Sequence, residues 1–590
     1  MSTKTIYGLA VVLVIGIGVA RIVSTYHEFT QTVDENSNIA AGMQLLQDRV
    51  YFMDVKHPPV GRIAVALGPY LEGSRLPKHG GDMFALGNVI LNGNNNYWHN
   101  LALARFGTLP FFVLACVVVW SWSNHLFGKW AALFSLLVFS MIPAVLAHGS
   151  LATNDMAGAA TLLLALYWFT LWMENPTWLT SARLGLGAGL AAASKFSALL
   201  FFPACVVALI LILLVTNRNS LRKLPLRALA GNLFLALIVA YFTLWAGYLF
   251  TMMPIQASRP HAAVDRLLGR HPALHDGVVA ILETPYPAGN VAAGLKALAG
   301  QNKAGQVSFF LGEWRRHGWW YFFPVIFVLK TPVPFLLLAC VGSVLLVRSF
   351  GQTHDWRVIA PTLFALAILA VSMTSGINIG LRHILSIYPL LSIVAGHVME
   401  EFSSTLRQPM LARGVVAAAC LWLIVSSLRA HPDYLAYFNF FASDRPERIE
   451  VDSDLDWGQD LARLSKWLHA RGVNEVALSY FGTADLTHAD LPNFHELVPY
   501  QKVDGWIAIS ARYRVIPSPF VVQAAPLGMP LYYSVPGNFN RVWPGTGPFS
   551  WLSAYQPVQR IGRSIFVYYI PPVAAEPAGS EAKADHANHS

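Results

Sequence analysis

The chain has 590 residues, of which 55% are hydrophobic and only 12% charged, and its mean hydropathy is +0.46. That balance excludes a water-soluble globular domain and a disordered chain, leaving a protein whose main solvent is lipid. The net charge of +9 comes without any basic run interleaved with aromatics, which sets nucleic acid aside as a partner.

Apolar runs of the length that crosses a hydrocarbon core of ~30 Å, roughly 17–25 helical residues, recur from the N-terminus to Leu428. They are read at Ile6–Val23, Phe106–Trp122, Trp130–Ala147, Met156–Met173, Leu184–Val215, Leu229–Phe250, Trp319–Val347, Val358–Met373, Ile384–Val398 and Val415–Leu428. Leu184–Val215 is too long for one span and carries Lys195 near its middle, so it is expected to be two helices joined by a tight turn, giving about eleven spans. Ile6–Val23 lacks a small-residue cleavage site after it and is expected to stay attached. The cysteines Cys116, Cys205, Cys340 and Cys420 all lie inside apolar runs, with no CxxC and no disulfide framework.

Lys4, Lys129, Arg183, the cluster Arg218, Arg222, Lys223 and Arg227, then Arg348, Arg357, Arg407 and Arg413 alternate onto one side, which predicts a cytoplasmic N-terminus. The alternation holds only if Leu184–Val215 is a hairpin. Three long segments then face outward: His27–Ala104, Thr251–Gly318 and Arg429–Ser590. Segments this long are functional or disordered. The last alternates helical periodicity (Gly458–Ala470) with strand-like runs at Val476–Tyr480, Trp506–Ser510 and Ser564–Ile570, the pattern of a small α/β domain over 429–573. The end, 574–590, reads as a disordered tail.

The ionisable residues on the outward side carry the functional reading. Asp34-Glu35 is an acid/base pair or, more plainly, the cap and first turn of a helix running from Asn36 towards Gln47. In Asp54-Val55-Lys56-His57-Pro58-Pro59, with Arg62 one turn on, the prolines open a helix and set Lys56 and His57 beside its N-terminus, where an anion is favoured. The plain alternative is a lysine reaching toward headgroups. Arg105 opens the second span, Asp155 the fourth, Lys195 caps the hairpin, Arg382-His383 opens the tenth, and Lys330 sits beside Pro332 and Pro334. Ionisable groups at this depth face a cavity or a partner. Together they suit a lipid-linked phosphate, with cations stabilising charge on the leaving group and a carboxylate deprotonating the attacking one. In the last segment, Asp454, Asp456 and Trp457 are candidate contacts to sugar or acceptor, with a helix N-terminus as the alternative. His261, His271, His275 and Asp276 match no defined zinc spacing, so no metal is expected. A transporter or flippase is the rival class, but the hairpin has no counterpart in a second half of the chain.

The order of these motifs, Asp34-Glu35 after the first span, Asp-Val-Lys-His-Pro-Pro-Val-Gly-Arg, Arg105, Asp155, and Arg-His-Ile-Leu-Ser-Ile-Tyr-Pro at 382–389, resembles the protein O-mannosyltransferase and aminoarabinose transferase superfamily of C-type membrane glycosyltransferases. The stretch from Tyr437 to Leu461 resembles bacterial members. The resemblance implies a polytopic helical fold with amphipathic helices in the first outward loop and a polyprenyl-phosphate sugar as donor. It also implies an acceptor in glycolipid, polysaccharide or secreted protein and a place in the inner membrane with the C-terminal domain in the periplasm. It implies Asp34 as the catalytic carboxylate, Glu35 and Asp155 as its acidic companions, and Arg105 and Lys56 as phosphate contacts; His57, Lys195, Arg382 and His383 are read as further donor contacts from their placement in the sequence. No cofactor beyond the lipid-linked donor is expected.

Overall fold

The computed structural model of the protein describes residues 2–572, except 79–80, 217–225, 256–261, 405–408, 443, 517–520, 524–531, 535–540 and 543–546. The expected tail at 574–590, the loop cations Arg218, Arg222, Lys223 and Arg407, and His261 lie outside the described residues. Helix α1 (Thr3–Val23) is capped by the Ser2 hydroxyl, which accepts from the Thr5 amide. The first long loop carries α2 (Glu35–Asp48), α3 (Pro59–Leu71) and α4 (Met83–Leu91), and α5 (Tyr97–Phe106) leads into α6 (Leu109–Phe127). Helix α2 matches its expected extent within one residue at each end, and Pro59 starts α3, where a proline needs no partner for its missing N–H.

Helices α7 (Lys129–Ser140) and α8 (Pro143–Gly149) together make one expected span, bent by 68° at Pro143. Then come α9 (Asp155–Glu174), α10 (Trp178–Ser194), α11 (Ala198–Thr216) and α12 (Leu226–Gly247). The tight turn at Lys195 between α10 and α11 is present. Helix α10 starts earlier than the apolar run, because Thr177 and Thr180 form a reciprocal capping box.

The second long loop holds α13 (Ala262–Leu268), α14 (Pro272–Glu283) and α15 (Asn290–Ala304). The expected span Trp319–Val347 is divided into α16 (Phe322–Lys330) and α17 (Val333–Thr353). Thr331 is extended (φ −104°, ψ 135°), as a residue before proline prefers, and Pro332 has no N–H to continue the ladder. Helices α18 (Trp356–Ser372), α19 (Ile387–Ser404) and α20 (Pro409–Arg429) complete the bundle.

Among the described residues six helices are long and apolar enough to cross a membrane, or seven with the bent α7–α8 pair, while α18 has a shorter apolar stretch. Their outer faces are apolar: Val12, Leu13, Phe234, Leu237 and Leu421 are all more than half exposed. Such a surface is stable only against lipid, and the protein is a multi-pass membrane protein.

Beyond the bundle, β1 (Glu475–Ser479), β2 (Asn493–Glu496), β3 (Gly505–Ser510), β4 (Gln559–Ile561) and β5 (Ile565–Ile570) form a sheet in the order β4-β5-β3-β1-β2. Strand β1 runs parallel to β2 and β3, and β5 is antiparallel to β3 and β4. Helix α21 (Leu461–Ala470) lays Leu461, Leu464 and Leu468 against Val476, Leu478, Ala508 and Val567, the amphipathic stripe that its 3.6-residue periodicity predicts.

Candidate active site

The adjacent carboxylates at the start of α2 have different surroundings. Glu35 is fully buried; its Oε1 accepts from Arg105 Nε at 2.8 Å and from the Ala152 amide at 2.9 Å, and its Oε2 from Arg105 Nη2 at 2.9 Å and the Thr32 amide at 2.7 Å. Arg105 also donates to the carbonyls of Tyr26, Phe29 and Thr30. A guanidinium has five N–H donors, and all five are engaged by protein. This corrects two expectations: Arg105 has no donor left for a phosphate, and Glu35 has no lone pair aimed at a substrate. The pair closes the first loop onto α5 and the turn before α9.

Asp34 is one-third exposed and holds the N-cap position of α2 without capping it through its side chain. Its Oδ2 accepts from Arg382 Nη1 at 2.5 Å. Arg382 Nη1 also lies 3.9 Å from Asp155 Oδ2, and Asp155 Oδ1 accepts from Lys195 Nζ at 2.6 Å. Four charges of alternating sign thus run Asp34, Arg382, Asp155, Lys195. Helix α9 comes this close to Lys195 because Gly158 faces it; a Cβ there would stand 2.7 Å from the Lys195 Cβ. Among the described residues, Arg382 Nε and His383 Nε2 are buried without a protein partner.

Next to this chain lies a cavity of about 470 Å³ whose lining combines Lys56, His57, Lys195 and His383 with Leu199, Leu200, Leu295, Leu298, Phe323 and Val371. Lys56 and His57 are held there by a brace under α3. Arg62 donates to Asp54 Oδ2 at 2.6 Å, to Asn38 Oδ1 at 2.9 Å and to the Tyr51 hydroxyl at 3.0 Å. Burial pushes the Asp54 carboxyl up, but the Arg62 guanidinium outweighs it and holds it at about 2. Burial, then Arg62, lowers His57 to about 4; burial, then Lys195 and Arg382, lowers His383 well below its ordinary value. Both imidazoles are neutral near pH 7, so they serve as polar hydrogen-bonding groups. Asn154 Nδ2 lies 3.3 Å from His57 Nδ1, which orients the ring.

The stretch 452–462 joins the sheet to this centre. The amides of Thr30 and Val33 donate to the carbonyls of Gln459 and Trp457, both at 3.0 Å, which fixes the loop carrying Asp34. Asp454 Oδ2 accepts from the Leu381 amide at 2.9 Å, Ser453 Oγ donates to the Ile379 carbonyl, and Lys330 Nζ donates to the Asp454 carbonyl, which fixes the turn carrying Arg382. Gly380 is required between them: its φ is +143°, and a Cβ would meet Ser453 Oγ at 2.2 Å. The buried Trp457 indole lies 4.3 Å from the Arg382 guanidinium carbon, a cation–π contact. Asp454, Asp456 and Trp457 are therefore corrected from candidate sugar contacts to internal supports; all three are at most 1% exposed. Burial raises the Asp456 carboxyl to about 8, and its Oδ2 accepts from the Arg512 amide at 3.2 Å.

Asp34, Asp155, Lys56, His57, Lys195, Arg382 and His383 are thus brought together, and Glu35, Arg105, Asp454, Asp456 and Trp457 are placed behind them. Lys330 and the apolar wall from α15 complete the surroundings; the wall had a signal in the apolar spacing of Leu295, Leu298 and Ala299, which shares one helix face. Outside the site, His275 pairs with Asp265 at 2.9 Å and with Asp276 at 3.0 Å, and among the described residues no group of three His, Cys, Asp or Glu side chains is placed to hold a metal.

Residues 99–245 match the family described as dolichyl-phosphate-mannose-protein mannosyltransferase. No curated protein matches the chain by sequence. Among solved structures the fold is similar to the Saccharomyces cerevisiae Pmt1–Pmt2 protein O-mannosyltransferase complex bound to the sugar donor, at 11% identity over 73% of this chain and 90% of that one, with a TM-score of 0.51. Two others are ArnT from Cupriavidus metallidurans bound to undecaprenyl phosphate (14% identity, 78% and 73% covered, TM-score 0.45) and the Archaeoglobus fulgidus oligosaccharyltransferase (12%, 79% and 58%, 0.45). The chain thus resembles the dolichyl-phosphate-mannose-protein mannosyltransferase family over residues 99–245 and is similar in fold to the Pmt1–Pmt2 complex over 73% of its length.

Proposed function

We propose that the protein transfers a sugar from a polyprenyl-phosphate carrier to an acceptor on the outward face of the membrane, with Asp34 as general base. The observation that carries this reading is the cavity itself. Its lining combines the lysines with a largely apolar wall, and that combination suits an amphiphile with a phosphate head and an isoprenoid tail. Lys56 and Lys195 would neutralise the phosphate, and Arg382 Nε and His383 Nε2, buried and unpartnered, would direct hydrogen bonds to its oxygens. The lipid would lie against Leu199, Leu200, Leu295 and Leu298.

In this reading Arg382 divides its charge between Asp34 and Asp155 until a phosphate draws it away, leaving Asp34 able to accept a proton. The acceptor O–H then gives its proton to Asp34 as its oxygen bonds to the anomeric carbon. The bond from that carbon to the phosphate oxygen breaks, and polyprenyl phosphate leaves. A single displacement inverts the anomeric centre. Asp155 acts by positioning Lys195 and Arg382. The same reading takes about eleven spans in residues 1–428, a cytoplasmic N-terminus and an outward domain over 429–573 in a bacterial inner membrane. Supplying proteoliposomes with labelled polyprenyl-phosphate sugars tests it. Product formation by the wild-type protein that is abolished in Asp34→Asn, with carrier binding retained, is expected; equal transfer by that variant would remove Asp34 from the mechanism.

A further inference from the structure

The far end of the sheet carries a second cleft, with a volume of about 850 Å³. Trp506 on β3 and Tyr569 on β5 are directly cross-strand partners, with ring centroids 4.9 Å apart. Trp467 of α21 packs its edge on Trp506 at 5.7 Å and so fixes the platform from below. Trp551 and Tyr555, 6.2 Å apart, line the same cleft. Tyr569 and Tyr555 remain 45% and 38% exposed. Four aromatic side chains around one opening of this size exceed what a sheet end needs for its own packing, since Ile507, Ile509 and Val567 already fill the buried positions.

The cleft also has polar groups at its rim. Glu475 and Asp504 contribute carboxylates and Lys502 an ammonium, and His495 lies 3.3 Å from Glu475. The charges of both signs nearly balance, so the cleft has no field to select a strongly charged ligand such as a nucleic acid or a phosphate. Aromatic faces combined with balanced donors and acceptors match a pyranose, which has an apolar C–H face and a girdle of hydroxyls. The position argues against a lipid surface. Strand β3 begins at the cleft and ends at Ser510, beside Arg512, whose amide donates to Asp456 in the segment that supports Arg382. At a rise of ~3.3 Å per residue the strand separates the two ends by about 16 Å, so the cleft lies on the side of the sheet away from the transfer centre and the bundle.

We propose that this cleft binds a neutral oligosaccharide of several hexose units, giving the protein a carbohydrate site separate from the transfer centre, suited to hold an extended glycan acceptor or product. The full-length protein in nanodiscs, titrated with mannotetraose, maltotetraose and cellotetraose by saturation-transfer NMR and calorimetry, tests this. Binding of at least one tetrasaccharide is expected, weakened about tenfold or more in the double variant Tyr555→Ala/Tyr569→Ala and several-fold in Asp504→Asn, whose side chain is exposed and plays no part in the core. Asp34→Asn should bind the same tetrasaccharide like the wild type, so loss of the transfer reading would leave this site standing, and the reverse. No binding of any of the three sugars, or wild-type affinity in the double variant, overturns the proposal.

Discussion

Two ion-pair systems meet at the start of α2, one residue apart in the chain. The Glu35–Arg105 pair is sealed: both side chains are at most 1% exposed, and every donor of the guanidinium has a protein acceptor. The Asp34–Arg382–Asp155–Lys195 chain is incomplete by comparison. One arginine serves two carboxylates, its Nε has no partner among the described residues, and Asp34 is one-third exposed. A buried charge with a full set of partners is an anchor, because exchanging any partner costs its desolvation. Charges that share a partner beside a cavity can rearrange when a new anion arrives. Residues adjacent in the sequence are thus divided between a sealed anchor and an open ion-pair chain, according to which segments each one meets.

Substitutions can break that comparison at several points. The largest effect is expected at Asp34→Asn, which should lower the transfer rate by about 10²–10⁴-fold, the usual contribution of a general base, with carrier binding and thermal stability near wild type. Glu35→Gln should do the opposite. Leaving Arg105 buried without its carboxylate costs about 3–5 kcal/mol, read as a lower unfolding midpoint and poor yield, and the activity that remains should follow the folded fraction. If Glu35→Gln folded normally and only lost turnover, the division between support and chemistry would be wrong. Lys195→Ala should weaken polyprenyl-phosphate binding about tenfold, since a charge-assisted hydrogen bond contributes ~1.5–3 kcal/mol, measured by carrier titration. Trp457→Leu removes the indole from Arg382, worth ~0.5–2 kcal/mol. It should lower turnover a few-fold and weaken carrier binding by a similar factor, because Arg382 is a phosphate contact in the proposed mechanism.

A separate expectation concerns pH. The Asp456 carboxyl is raised to about 8 in the folded protein by burial, so folding favours its protonated form. Its contribution is fully present below the unfolded value near 4 and is lost as pH rises through about 8. Thermal midpoints measured from pH 5 to 8 should fall with pH in the wild type, and Asp456→Asn, which stays neutral, should flatten that slope.

Much of the architecture was legible locally. Helix α2, the break at Lys195 and three strands of the C-terminal sheet were read from periodicity, proline and charge placement, because these patterns act over a few residues. The break in Trp319–Val347 falls at the kink that Pro332 and Pro334 signal, although hydropathy alone does not divide the run. The roles of Arg105 and Trp457 were not legible at all. Composition marks an arginine at the mouth of a span as costly there, but gives no sign of whether its partner is a protein carboxylate or a ligand.

The sequence by itself determined that the chain lives in lipid and that Asp34, Lys56, Asp155, Lys195 and Arg382 are candidates for one site. Only the tertiary structure decided which of them face one another. Asp34 and Arg382 are 348 positions apart, and they meet because residues 452–462 bond to both of their loops. Hydrophobic periodicity is a property of neighbours in the chain and survives as a pattern in the sequence. The pairing of buried charges depends on distances of a few ångströms between distant segments, which are set only when the helices and the sheet pack.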